Sequence, residues 1–369
     1  MNQRAAPGLV RDSIVAYLAA AESASIGEIR EAVAARIGDV PASSVRSYLN
    51  INTPDLFERT ARGRYRLRAA KEAAAQKAAV SHIIGRAKLV HANCFDWMRA
   101  REPRSIHGVV ADPPYGLVEY SDIEQAKLRA GRGGVWRIPP SFDGRQRAPL
   151  PRFTTLTEGD RAAMRDFFLE FGKLALRVTT PGANIIVASN PLLVHVVANA
   201  MSAAGLELRG HLVRLVMTMR GGDRPKNAHE EFPDVSVMPR SMFEPWLILR
   251  HPLDGRARDT LREWGAGGFR RPSPERPFGD VIKSGPTPRA ERRIAAHPSL
   301  KPQAFLRAVV RAALPLGKGV ILDPFAGSGS TLAAANAIGY DSIGVEQDPR
   351  YVALAREAIP KLAALMVED

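Results

Sequence analysis

An α/β fold built on a largely parallel sheet, preceded by a small helical module, is what the sequence predicts. Three observations carry this. From about residue 84 onward, short β-branched runs alternate with stretches of helical periodicity, the pattern of parallel strands joined by crossover helices. Two turns rich in proline or glycine follow directly on such strands, where an α/β sheet presents its ligands. Residues 1–68 lack that alternation and read as three helices ending in a basic hairpin.

In the first segment Val10, Ile14 and Leu18 mark the apolar face of one helix. Ser25-Ile26-Gly27-Glu28 forms a capping box that opens a second, with Ile26, Ile29, Val33 and Ile37 facing inward. Pro41 starts a third helix, in which Val45, Tyr48 and Leu49 pack and Ser43, Ser44, Arg46 and Ser47 point outward. A hairpin around Gly63 closes the segment, alternating Tyr65 and Leu67 with Arg64, Arg66 and Arg68. Three helices followed by a basic hairpin resemble a winged helix. In that arrangement the third helix enters a major groove, presenting Ser43, Ser44 and Arg46, while Arg62, Arg64 and Arg66 ride on phosphates. Packing or dimerisation is the alternative use of the same module.

Residues 69–83 begin alanine-rich with scattered charges and fit a helical connector. Strands are predicted at Leu89–His91, Gly108–Ala111, Ala183–Ala188, Gly319–Leu322 and Ser342–Val345. Between them lie a helix faced by Met164, Phe167, Phe168, Phe171, Leu174 and Val178, ending at Pro181-Gly182, and helices over Leu192–Ala204, Pro302–Leu314 and from Thr331. A last helix starts at Tyr351. Residues 119–158 and 219–296 break the alternation. They are rich in Gly, Pro and Arg, including Arg220, Arg224, Arg270 and Arg271, and read as long functional loops.

At 369 residues the chain suits one large domain plus a small one, and its 45% hydrophobic and 24% charged residues place it among soluble globular proteins. No segment is apolar for long enough to cross a bilayer. The N-terminus lacks the apolar core and cleavage site of a secretory signal, so the expected location is the cytoplasm. The single cysteine, Cys94, excludes an intramolecular disulfide and any multi-cysteine zinc cluster, and the isolated His91-x-x-Cys94 pair leaves no metal site expected. A formal net charge of +14 suggests a polyanionic partner, because Lys and Arg displace counterions condensed on phosphates.

The strongest chemical signal is Asp112-Pro113-Pro114-Tyr115-Gly116, directly after a predicted strand. It delivers a carboxylate, a proline-fixed turn and an aromatic ring together. An amino group on a heterocycle is a poor nucleophile, because its lone pair is delocalised into the ring. The Asp112 carboxylate and the Pro113 carbonyl can accept its two N–H bonds and localise that pair. Tyr115 offers a stacking face to an extruded base. Trp136, beside Gly133-Gly134 and Arg137, is a further candidate for stacking on nucleic acid.

The second signal is Asp323-Pro324-Phe325-Ala326-Gly327-Ser328-Gly329-Ser330-Thr331, also between a strand and a helix. Its glycines admit a ligand close to the backbone, and the helix N-terminus with Ser330 or Thr331 suits a carboxylate. No Gly-Lys-Ser/Thr follows, so it is not a phosphate-binding P-loop. Glu346 ends the next strand about twenty residues on, where dinucleotide folds hold ribose hydroxyls. A nicotinamide or flavin dinucleotide is the ordinary reading of a glycine turn alone; the Asp-Pro-Phe opening and the distant Asp112 cluster argue against it.

Together these motifs resemble the amino-methyltransferases of DNA, and their order resembles the permuted β-class, in which the catalytic tetrapeptide precedes the glycine loop. The resemblance spans about residues 84–369 and includes His297-Pro298-Ser299-Leu300-Lys301-Pro302. It implies a Rossmann-like methyltransferase domain with a seven-stranded, largely parallel sheet, S-adenosylmethionine as cofactor, double-stranded DNA as substrate and a homodimer. It also implies that Asn93, Cys94, Lys301, Asp323, Phe325, Ala326, Gly327, Ser328, Gly329, Ser330, Thr331, Glu346 and Gln347 surround the donor, with Asp112 near it. Asp112, Pro113, Pro114 and Tyr115 would hold the target base, and residues 219–296 the recognition segment. Where the family carries Gly-Asp-Cys, this chain has Ala92-Asn93-Cys94. Asp-Pro-Pro-Tyr favours N6 of adenine over N4 of cytosine in this family. A DNA-binding regulator that keeps the domain only as scaffold is the reading from another class.

Overall fold

The computed structural model describes residues 9–21, 23–38, 45–46, 48–49, 53, 57–61, 63–67, 80–114, 141–142, 145–146, 158–220, 225, 228–237, 239, 241–297 and 299–367. The chain forms two compact units, Met1–Ala79 and Val80–Asp369.

In the first unit α1 (Leu9–Ala20), β1 (Ala24–Ser25) and α2 (Ile26–Ile37) are followed by helical residues at Val45, Arg46, Tyr48 and Leu49, then β2 (Phe57–Ala61) and β3 (Arg64–Leu67). The capping box is formed: Ser25 Oγ accepts from the Glu28 N–H at 3.3 Å, and Glu28 Oε2 accepts from the Ser25 N–H at 2.6 Å. Gly63, at φ 77°, makes the hairpin turn, a conformation that favours glycine. The three strands pair in the order β1-β3-β2. Ile14, Leu18, Ile29, Val33, Val45, Leu49, Phe57 and Tyr65 close one small core.

The second unit runs β4 (Ser81–Ile84), β5 (Ala87–His91), α3 (Cys94–Ala100), β6 (Ile106–Ala111) and a two-stranded ribbon of β7 (Ser141–Phe142) and β8 (Arg145–Gln146). Then come α4 (Glu158–Val178), β9 (Thr179–Ala188), α5 (Val194–Ala203), β10 (Glu207–Arg220), β11 (Ser241–Arg250), α6 (Ala257–Trp264), β12 (Val281–Lys283) and α7 (Arg289–Ile294). The chain continues with α8 (Gln303–Ala313), β13 (Val320–Asp323), α9 (Ser330–Ala337), β14 (Asp341–Glu346) and α10 (Pro349–Ala363). One sheet takes the order β12-β10-β11-β9-β6-β13-β14-β5-β4. Its centre, β9-β6-β13-β14-β5, is parallel throughout.

Strand side chains alternate between faces, and each face here meets helices. Val109, Ile185 and Val187 pack with Phe168, Phe171 and Val197 of α4 and α5. Their neighbours Val110, Ile186 and Ala188 pack with Phe305, Val309 and Val310 of α8. Burial on both faces explains why these strands read as continuous apolar runs.

The Rossmann-like α/β class is the one expected, but the sheet has nine strands rather than seven. Two of its strands, β11 and β12, come from residues 219–296, read from sequence as loop. Trp246 to Leu249 of β11 are at most 7% exposed, so these four residues are interior sheet. A further strand, β4, begins inside the stretch read as helical connector and pairs antiparallel with β5. The turn at Pro181-Gly182 does not separate helix from strand, because β9 begins two residues earlier.

Candidate active site

Parallel neighbours in the sheet bring the predicted motifs to one edge. Leu322 of β13 pairs with Val109 of β6, and Asp323 with Gly344 of β14. Glu346 in turn pairs with His91 of β5. Asp112, Asp323, Glu346 and Asn93 therefore stand at the carboxyl ends of four adjacent strands. A cleft there is lined by Asp112, Lys301, His297, Trp246 and the loop from Asp323 to Thr331.

The loop is held open to a ligand by its own backbone. Gly327 and Gly329 adopt φ 49° and 80°. A Cβ on Gly329 would stand 2.5 Å from Ile359 Cγ1, and one on Gly327 3.0 Å from His297 Nε2, so both positions need glycine. Glu346 ties the loop to β14: Oε2 accepts from the Gly327 N–H and Oε1 from the Asp348 N–H, each at 2.8 Å. Each oxygen keeps a second acceptor direction for a ligand hydroxyl. Asp323 is 4% exposed and accepts from the Phe325 N–H at 3.1 Å. Burial pushes its carboxyl up to about 7, against the opposing hydrogen bonds from Thr331 and Phe325. Phe325 packs edge-on against Phe171, with ring centroids 5.3 Å apart.

These features fit S-adenosylmethionine. A cradle without Cβ atoms leads to the start of α9, where no side chain caps the first N–H groups, the Glu346 carboxylate stands at the end of the next strand, and Asp323 is a buried acid whose ionised form a sulfonium or ammonium would favour.

Asp112 lies beyond β6 in a chain of alternating charges. Lys301 Nζ stands 2.8 Å from Asp112 Oδ2 and 3.0 Å from Glu244 Oε1. Arg214 Nη1 stands 2.8 Å from Glu244 Oε2. Burial opposes the Lys301 ammonium, but Asp112 and Glu244 outweigh it and hold its pKa above the ordinary lysine value. Burial likewise opposes the Glu244 carboxylate, and Lys301 and Arg214 hold it below the usual range. Glu244 and Arg214 were not anticipated from sequence; the signal was the apolar run after Glu244, which marks a strand beginning at the site.

Asn93 caps α3, its Oδ1 accepting from the Phe95 N–H at 2.9 Å and the Asp96 N–H at 3.3 Å. Its Nδ2 donates to Gln347 Oε1 at 3.4 Å, which brings those two expected donor-site residues together. Cys94, at the start of α3, packs in the core with Val90 and Met98, and burial pushes its thiol up to about 12.

The Arg270 guanidinium donates to the Tyr340 hydroxyl at 2.5 Å and lies over that ring. Arg271 is exposed and donates to the Pro274 carbonyl at 2.5 Å. In the first unit Arg46 is exposed, Arg64 lies 3.8 Å from Glu28, and Arg66 lies 2.7 Å from Glu58. Arg220 ends β10 opposite Ser241. Ser43, Ser44, Arg62, Tyr115, Trp136 and Arg224 lie outside the described residues. Among the described residues no group of three or more His, Cys, Asp or Glu is placed to hold a metal ion, and no helix is long and apolar enough to cross a membrane.

Residues 106–357, more than half of the chain, match the profile of the DNA methylase family of N6 and N4 enzymes. Type II methyltransferase M2.DpnII of Streptococcus pneumoniae is 21% identical over 276 residues, 73% of this chain and 88% of that protein. M2.LlaDCHI of Lactococcus lactis subsp. cremoris is 21% identical over 74% of this chain and 89% of its own length. Among solved structures, TTHA0409 of Thermus thermophilus complexed with S-adenosyl-L-methionine aligns at TM-score 0.46 and 18% identity, over 76% of this chain and 95% of that one. The chain belongs to the DNA methylase family: it is an S-adenosylmethionine-dependent amino-methyltransferase of DNA.

Proposed function

We propose that this enzyme transfers a methyl group to N6 of adenine in duplex DNA, acting on a base taken out of the stack. The observation that supports this most directly is the Asp112 carboxylate, which lines the same cleft as the glycine loop at the end of the adjacent strand. There Asp112 and the Pro113 carbonyl accept the two N–H bonds of the target amine and aim its lone pair, Pro114 fixes the turn, and Tyr115 stacks on the base. Asp323, Phe325, Ala326, Gly327, Ser328, Gly329, Ser330, Thr331, Glu346, Gln347 and Asn93 would hold the donor, which supplies a methyl group on a sulfonium. Transfer forms the N–C bond as the C–S bond breaks, and one amine proton leaves to water. Asp112 to Tyr115 reads Asp-Pro-Pro-Tyr, which in this family favours adenine.

Residues 1–68 are inferred to form a winged-helix-like DNA-contacting module, with Ser43, Ser44 and Arg46 toward bases and Arg62, Arg64 and Arg66 toward phosphates. Trp136, Arg220, Arg224 and Arg271 are inferred to contact DNA from the larger unit.

Nucleoside analysis of duplex DNA incubated with the enzyme and labelled donor tests the target. N6-methyladenine is expected; N4-methylcytosine would overturn the adenine assignment. On the same preparation Asp112→Ala should lower single-turnover transfer by roughly three orders of magnitude or more, with donor affinity changed by less than about threefold.

A further inference from the structure

The charges behind Asp112 form a line that crosses the sheet. Arg214 on β10 and Glu244 on β11 are direct cross-strand partners. Arg214 is fixed on its other side: Nε donates to Ser284 Oγ at 3.0 Å, Nη2 to the Gly285 carbonyl at 2.8 Å, and the guanidinium lies over Phe305 at 5.2 Å. Glu244 carries this fixed point to Lys301, and Lys301 carries it to Asp112. The side chains are 6%, 20%, 12% and 16% exposed in the order Arg214, Glu244, Lys301, Asp112. Four largely buried charges are costly to desolvate, and apolar packing of the same volume is often as stable or more so. The line is therefore a weak device for stability, and it ends on the carboxylate proposed to meet the target amine.

We propose that Glu244, anchored by Arg214, is a positioning residue for methyl transfer: it holds the Lys301 ammonium beside Asp112 and so fixes the direction of the Asp112 carboxylate. This rests on the function proposed above. Lys301 carries three N–H bonds, and an oxygen of each carboxylate stands within 3.0 Å of its Nζ. Without the charge of Glu244, Lys301 is held from one side only. Its ammonium then closes on Asp112 alone, and the carboxylate loses its fixed bearing.

The test compares the wild type with Glu244→Gln in single-turnover transfer to duplex DNA across pH, with donor affinity and thermal melting on the same preparations. Expected are a rate lower by about tenfold or more, donor affinity within about twofold, and an alkaline limb displaced downward by about one pH unit, since one of two facing carboxylates is gone. Among the described residues, the charged and titratable groups around Lys301 and Asp112 are Glu244 on β11 with Arg214 behind it on β10, His297 in the segment of Lys301, and Asp323 at the end of β13. A purely structural role would lower the melting temperature without moving that limb. Glu244→Asp keeps the charge one methylene short, so its rate should fall while the limb stays, and it replaces the glutamine variant should that variant fail to fold.

An independent readout is the titration midpoint of Lys301 followed by NMR of 13Cε-labelled lysine, in protein without donor or DNA. Glu244→Gln should lower it. A folded Glu244→Gln variant with the wild-type rate and limb overturns the role of Glu244 alone. A wild-type chain that transfers no methyl overturns the proposed function and this role with it, and the NMR midpoint then shows whether Glu244 governs Lys301 at all.

Discussion

Asp323 shows how one residue's burial sets a measurable property of the whole site. Its carboxyl is pushed up to about 7, whereas an unfolded chain releases that proton near 4. Between those values the folded state binds more protons than the unfolded one, so this group's contribution to stability falls as pH rises through the window. A cationic donor reverses the preference, because sulfonium and ammonium favour the carboxylate. Donor affinity should therefore rise from about pH 5.5 to 7.5, by tenfold or less per unit, and binding near pH 6.5 should release a proton. Titration calorimetry in buffers of different ionisation enthalpy measures both, and Asp323→Asn should flatten both; proton-free, pH-independent binding in the wild type would remove Asp323 from the donor site. Residue identity was legible from sequence here, since Asp323 opens a glycine loop after a strand. Its protonation was not, because that depends on contacts made by folding.

Elements were legible where the sequence pattern matched the environment. The central strands are buried on both faces and stand out as β-branched runs, and the Ser25 capping box announces α2 within four residues. β11 escaped because its first residues, Met242 and Phe243, are 41% exposed and glycine- and proline-rich sequence surrounds it. β12, three residues long, carries too little periodicity to register. Glu244 was missed with its strand. The junction between β13 and α9 gives the prediction at this scale. Gly329→Ala forces an L side chain into φ 80° and toward Ile359, so it should cost about 1–3 kcal/mol, lower the melting temperature by a few degrees and weaken donor binding. Differential scanning calorimetry with and without donor checks it; unchanged melting and affinity would mean that the loop accommodates a methyl group.

At the scale of the molecule, the chain divides into two compact units between Ala79 and Val80, whereas composition alone put the start of the alternating sheet at about residue 84. Which DNA sequence is bound was not legible, since base readout depends on the placement of individual side chains. The division suggests a direct experiment. A chain beginning at Val80 should retain donor binding and transfer to short duplexes, but bind DNA more weakly at low salt and with a flatter dependence on salt concentration. The slope should change by about one unit for each phosphate that is no longer neutralised. Arg64→Ala with Arg66→Ala in the full chain should give part of the same change without altering sequence preference. Equal affinities and slopes for all three would remove the N-terminal unit from DNA binding.

The buried thiol of Cys94 has a practical consequence. With its only cysteine packed in the core and protonated at ordinary pH, the native enzyme presents maleimides with almost nothing to react with. A cysteine introduced at an exposed position, such as Arg262→Cys, would carry a fluorophore alone, without first stripping the chain of natural thiols. The protein is in effect already a single-label platform for following its own encounter with DNA.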